Sequence, residues 1–281
     1  MTFLIPGHFR SGHQVKLARD VKLARLELTM RELHAWFGIN SLKMNSSKTD
    51  FMIVGSKPNV AKTQNFCVMV ENSTILPSKA VKIIGITADA VLSWEEHISC
   101  VVRKCNKILF SLYRFRHYFT SQVLKTIIQA YVFPHITYCL CVWGGAARGQ
   151  MQKLQKVINF SARIVGGIKK HEHITPTLNY LDWPRIETLV ARRDVAKVWG
   201  LLRADGAPSS VRELLVPRSA VSTRDTRGSE GGDLHLQRCR LASSQKAFTY
   251  RAAVTWNGLP RAARDAPTSR AFKLAVNKCI I

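Results

Sequence analysis

The sequence predicts an α+β fold: a short β-containing region followed by a longer, mostly helical one. Two patterns carry this prediction. Between residues 42 and 86 the apolar residues fall in short alternating or continuous runs separated by turn residues. From Trp94 onward they recur at helical spacing. Charge divides the chain in a similar way. The 42 Lys and Arg outnumber the 18 Asp and Glu, for a net charge of +24. Residues 1–50 contribute +4, residues 51–100 contribute 0, residues 101–200 contribute +12 and residues 201–281 contribute +8. The positive field belongs to the helical half.

The elements follow in chain order. The segment "VKLARD" at 15–20 is followed at once by "VKLAR" at 21–25. This tandem copy has two readings, a lengthened helix or a local duplication without structural role. The second is preferred, because nothing else in the chain repeats. Residues 1–25 are therefore expected to be an N-terminal extension and a candidate for disorder. Leu26, Met30, Leu33 and Phe37 share one helical face, and Gly38 suits the helix end. Strands are expected at 42–45, 51–54, 66–70 and 81–86, with turns at Lys57-Pro58-Asn59 and Glu71-Asn72-Ser73.

A first long helix then places His97, Val101, Cys105, Ile108 and Leu112 on one face. A second is expected over 121–133, ended by Pro134. A third, over 149–165, turns Met151, Leu154, Val157, Ile158 and Ala162 inward. A fourth runs from about 184 to 203 and starts at Pro184. Residues 205–233, rich in Gly, Ser, Pro and Arg, are expected as loop or linker. Apolar periodicity returns at 244–256 and 268–279.

Composition narrows the function. Such an excess of positive charge points to a polyanion, nucleic acid or an anionic membrane surface, and the nucleic-acid reading is preferred over a charge that only keeps the protein soluble. None of the seven cysteines forms a CxxC pair, which argues against a disulfide framework or a zinc ribbon. His171 and His173 with Cys139 and Cys141 match no common zinc spacing, so no metal site is expected. The N-terminal apolar run covers only Phe3 to Ile5, and no run approaches the ~18 apolar residues of a membrane span. A soluble intracellular protein, nuclear or cytoplasmic, is expected.

Several blocks resemble one family. "LHAWFGINSLKMNSSKT" resembles the segment after the catalytic aspartates in reverse transcriptases of non-LTR (LINE-type, jockey/CR1-like) retrotransposons. The family pattern is a Trp, then Asn-x-Leu-x-Leu-Asn-x-x-Lys-Thr. Here it reads Trp36, Asn40, Leu42, Met44 in place of Leu, Asn45, Lys48 and Thr49. "VKIIGITADAVLSWEEHI" at 81–98, "YVFPHITYCLCVWGG" at 131–145 and "LQKVINFSARIVGG" at 154–167 resemble later blocks. So do "LDWPRIETLVARRDVAKVWGLL" at 181–202 and "VTWNGLPRAARDAPTSRAFK" at 254–273, in the same order. The resemblance implies a division into the C-terminal part of a polymerase palm (26–90), a helical thumb-like region (91–204) and a basic linker with a C-terminal helical region (205–281).

The family is an RNA-directed DNA polymerase that uses Mg2+ held by aspartates, and no Asp-Asp pair occurs in this chain. The palm-like part offers only Asp50 and Asp89, far apart. No polymerase activity and no cofactor are expected of this chain. At most, non-specific nucleic-acid binding to a primer–template duplex is expected. Two other readings stay open: a piece of an active reverse transcriptase whose aspartates lie upstream, or a basic protein co-opted to bind RNA or a partner.

The candidate contacts follow. Lys48 lies, in the family, near the incoming triphosphate; without the carboxylates a solvated turn lysine is preferred. Lys82 is a further candidate. Arg103, Lys104, Lys107, Arg114 and Arg116 are interleaved with Tyr113, Phe115, His117 and Tyr118. These basic residues read equally as phosphate contacts or as a solvated face. The aromatics are expected in the core. Lys153, Lys156, Arg163, Lys169 and Lys170 form a second strip, to which Arg192 and Arg193 could add. Trp143, Trp183, Trp199 and Trp256 are expected as core anchors.

Overall fold

A computed structural model describes residues 2–6, 12–43, 45, 48–63, 66–70, 73–203, 207–221 and 232–280. The chain forms two compact units, Met1–His97 and Ile98–Ile281. The architecture is mostly helical with a few short strands, an α+β fold at that level.

The first unit contains β1 (Thr2–Pro6), α1 (Gly12–Ile39), β2 (Asp50–Val54), α2 (Lys57–Ala61), β3 (Val68–Val70), β4 (Ser73–Ile75), β5 (Ala80–Ile83) and β6 (Ile86–Asp89). Three two-stranded pairings result: β1 with β2 in parallel, β3 with β4 and β5 with β6 antiparallel. The extension expected over 1–25 therefore carries structure. The tandem copy lies wholly inside α1, a helix of 28 residues. Its Lys, Leu, Ala and Arg are good helix formers and simply prolong the helix toward the N-terminus.

The helix does not stop at Gly38. Ser41 takes the left-handed conformation at φ 54° instead. Leu42 N–H then donates to Phe37 O (2.8 Å) and Ser41 N–H to Gly38 O (3.1 Å), a Schellman closure. Asn45 O next accepts from Lys48 N–H (3.2 Å) and from the Thr49 hydroxyl (2.9 Å). These turns occupy the place of the strand expected over 42–45: Leu42, Lys43 and Asn45 belong to no strand, and Met44 lies outside the described residues.

The period of two along β2 places its side chains in two clusters. Phe51 packs with Leu26, Met30 and Val68, while Met52 packs with Val81, Ala88 and Ala90. The run expected as one strand over 81–86 is a hairpin. Ile84 (φ 45°) and Gly85 (φ 82°) form its two-residue turn. Positive φ at both positions matches the twist of the flanking strands.

In the second unit, α3 (Glu95–Phe115, entering from the first unit) is followed by a 3-10 turn, Arg116–Tyr118. Then come α4 (Ser121–Tyr131), α5 (Phe133–Thr137), α6 (Leu140–Trp143), α7 (Arg148–Gly166), α8 (Thr175–Leu181) and α9 (Ile186–Arg203). Pro134 does not follow a helix end directly; it sits in the first turn of α5, where its missing N–H costs nothing. Ile98, Val101, Cys105 and Leu109 of α3 are buried, as are Leu154, Ile158 and Ala162 of α7.

α9 is buried on two sides. One faces α6 and α7. The other faces α10 (Ser209–Arg212), α12 (Phe248–Asn257) and α14 (Ser269–Cys279), while α11 (Ala242–Gln245) packs on α12 and α13 (Arg261–Arg264) on α14. Trp199 and Trp256 flank Phe272 at 5.5 and 6.0 Å between ring centroids. Trp143, Trp183 and Trp256 are buried, and Trp199 is half-buried against this core. The segment expected as linker is partly built in. Leu215 of that segment belongs to this core, as does Leu234 just beyond it, and Pro217 bridges to Leu234. Residues 204–206 and 222–231 of the same segment lie outside the described residues.

Asp194 of α9 is fully buried and accepts from Arg251 Nε (2.6 Å) and Nη2 (3.0 Å). Arg251 also donates to Lys246 O (2.7 Å) and Cys141 O (3.0 Å). Burial raises the Asp194 carboxyl above its ordinary range, and the Arg251 guanidinium lowers it in part. Gly145 is required beside this cluster, since a Cβ there would clash with Lys246 O.

Candidate nucleic-acid interface

Between Ile98 and Lys170 the sequence holds 12 Lys and Arg and not one Asp or Glu. On α3, Arg103, Lys107 and Arg114 recur at i, i+4 and i+11, within roughly 40° of one another around the helix axis. All three are exposed, opposite the buried Val101, Cys105 and Leu109. On α7, Lys156, Phe160 and Arg163 form a stripe turned away from the buried Leu154, Ile158 and Ala162. Phe160 meets Phe110 at 5.5 Å and Tyr113 at 6.1 Å between ring centroids. The two basic strips, some fifty residues apart in sequence, thus share one aromatic seam. The Arg116 guanidinium lies over the Tyr113 ring at 4.0 Å.

The aromatics are not core, contrary to expectation. Tyr113 is 46% exposed and Tyr118 82%, and Phe110, outside that expectation, is 58% exposed. Phe115 and His117 are exposed as well. Helix phase is the reason. Positions 110 and 113 fall outside the arc that holds 101, 105 and 109, and 116–118 lie in the 3-10 turn that follows Phe115, the last residue of α3.

The other predicted residues divide by position. Lys48 and Lys82 are exposed on the first unit, Lys48 in the turn before β2 and Lys82 on β5. Lys104 is exposed on α3, Lys153 is half-buried on α7, and Lys169 and Lys170 are exposed just after α7. Arg163 is partly committed, donating from Nη2 to Glu172 O (3.2 Å). Arg192 does not add to the strip: it donates to Ile280 O (2.9 Å) and Asn277 O (3.2 Å), closing the end of α14. Arg203 and Arg264 are likewise used internally, toward Ala266 O and the Asp233 carboxylate.

Sequence reasoning missed an open groove of about 880 Å³ that begins at Thr120, two residues after Tyr118. It lies where the start of α4, the end of α7 and α8 converge, and Thr120, Gln122, Lys125, Thr177 and Tyr180 line it. Gly166 permits the close approach of α7 to α8, since a Cβ there would lie 2.9 Å from the Thr177 methyl. The absence of acid from 98 to 170 was the one signal in the sequence that could have drawn Lys125 into the set.

Among the described residues, Asp50 and Asp89 do not fit a Mg2+ site of the polymerase kind. Asp50 accepts from the Ser78 hydroxyl (3.2 Å). Asp89 accepts from Ser93 N–H (3.0 Å) and Trp94 N–H (2.9 Å), where it shapes the entry to α3. Glu172 accepts from Lys169 N–H (2.8 Å), and His171 and His173 beside it are exposed. Among the described residues, no group of three or more His, Cys, Asp or Glu is placed to hold a metal ion. None of their helices is long and apolar enough to cross a membrane. No family model matches the chain, and neither a curated protein nor a solved structure does.

Proposed function

We propose that this chain binds nucleic acid without sequence preference through the joined face of α3 and α7, and that it catalyses no nucleotide transfer. The order of the sequence blocks supports descent from the palm-to-thumb part of a LINE-type reverse transcriptase. The observation that carries the binding reading is the acid-free run from Ile98 to Lys170, whose exposed Arg103, Lys107, Arg114 and Lys156 flank one seam. Neutralising phosphates releases condensed counterions, so such a face binds any strand and binds it less well as salt rises.

The test is fluorescence anisotropy of the full chain on labelled RNA and DNA across a salt series. Six or more phosphate contacts on a duplex give a slope of about −5 or steeper in log K against log salt. Charge reversal at Lys107 and Arg114 together should flatten that slope by about two. No binding at ~50 mM salt, or a slope near zero, refutes the proposal. Primer extension in Mg2+ by the purified chain would refute its second part.

A further inference from the structure

The same face carries more exposed aromatic surface than phosphate contact requires, and we propose that it prefers unpaired over paired nucleic acid. The inference rests on the nucleic-acid reading of α3 and α7. Phe110 and Tyr113 lie among Arg103, Lys107, Arg114 and Arg116, and Tyr118 follows at 82% exposure. Two residues later Thr120 opens the groove, at whose rim Tyr180 is 88% exposed. From position 110 to 118 a helical path runs about 12 Å, the span of about three stacked bases.

In a duplex the base faces are covered by their neighbours, so protein rings find only edges and backbone. In a single strand each face is free to stack on an aromatic ring, and every base has one. Arg116, stacked on Tyr113, extends that platform with a flat cation. The polar lining of the groove, Gln122, Lys125 and Thr177 with Tyr180, suits the sugar–phosphate and base edges of a strand that continues past Tyr118. The same face of a second copy is the wrong occupant, because the run from Ile98 to Lys170 has no acidic residue to offer the basic one. Charge complementarity instead selects an anionic partner, and the rings select one with exposed planar groups.

The experiment compares a 12-nucleotide single strand with the duplex of the same sequence, on the full chain and on Tyr118→Ala, Tyr118→Phe and Tyr180→Ala variants, across salt. Both tyrosines are exposed enough that truncation leaves the core intact. The single strand should bind at least tenfold more tightly than the duplex. Tyr118→Ala should weaken single-strand binding about tenfold with the salt slope unchanged, since stacking rather than ion release is lost. Tyr118→Phe should restore it. Equal or tighter duplex binding, with no effect of the tyrosine variants, overturns the inference while leaving the proposed function standing. Poly-glutamate competing as well as the single strand also overturns it. Failure of both nucleic acids to bind overturns the proposed function and this inference together.

Discussion

Replacing Arg251 by Met should unfold the second unit at a markedly lower temperature, by an amount that depends on pH. Arg251 makes two hydrogen bonds to the fully buried Asp194 and one each to Lys246 O and Cys141 O. Without it, Asp194 must either remain charged in a dry site or take a proton. Protonation caps the penalty. From an ordinary aspartate near 3.9, holding the proton at pH 7 costs about 4 kcal/mol, three pH units at about 1.4 kcal/mol each. That agrees with the ~3–5 kcal/mol found when one partner of a buried pair is removed. For a unit of this size the loss corresponds to a fall of roughly 8–16 °C in Tm.

The pH dependence has a definite sign. Burial already raises the Asp194 carboxyl, and removing Arg251 deletes the cause that lowers it. The folded variant then binds the proton more tightly than the unfolded chain, so its stability rises as pH falls through the folded value. At pH 5 the cap shrinks to about 1.5 kcal/mol, and most of the deficit should disappear. Differential scanning calorimetry of wild type and variant at pH 7 and pH 5 measures both quantities. Adding Asp194→Leu to the variant should recover stability at pH 7, because the orphaned charge is gone. A Tm drop below about 3 °C at pH 7, or an equal deficit at both pH values, would refute the reasoning.

Two further outcomes are expected. Ile84 is a β-branched residue held at φ 45° in the β5–β6 turn and 83% exposed. Ile84→Asn should therefore stabilise the first unit by about 0.5–1 kcal/mol, visible as a rise of a few degrees in its melting transition, whereas an unchanged or lower Tm argues against strain there. Burial pushes the Cys105 thiol up to about 12, and its S–H points at Val132 O. Iodoacetamide at pH 8 should alkylate the exposed Cys279 and spare Cys105 until urea unfolds the chain, and mass spectrometry of labelled peptides reads the difference; equal labelling in the folded chain contradicts this placement.

Much of the fold was legible because periodicity is local. Met151, Leu154, Val157, Ile158 and Ala162 were read as the inner face of α7, and all five are buried. The failures share a cause. Gly38 looked like a helix end, but hydrogen bonds to Phe37 O and Gly38 O closed α1 through Ser41 instead. Leu215 sits in a segment of loop composition, yet it packs into the core formed by α9, α12 and α14. The exposure of Tyr113 and Tyr118 is not legible in the sequence, because an aromatic residue carries the same hydrophobic signal whichever way its helix is turned.

By itself the sequence determined that a small β-containing region precedes a basic helical one, which faces of α3 and α7 are apolar, and which residues supply positive charge. Those properties follow from the order and spacing of side chains along the chain. Tertiary structure alone decided that Phe110 and Tyr113 meet Phe160, that a groove opens between α4, α7 and α8, and that Asp194 lies against Arg251 while Arg192 closes the end of α14. Each joins residues well apart in sequence. No local periodicity encodes such pairings; they arise when helices settle into the packing that excludes most water and leaves fewest polar groups unpaired.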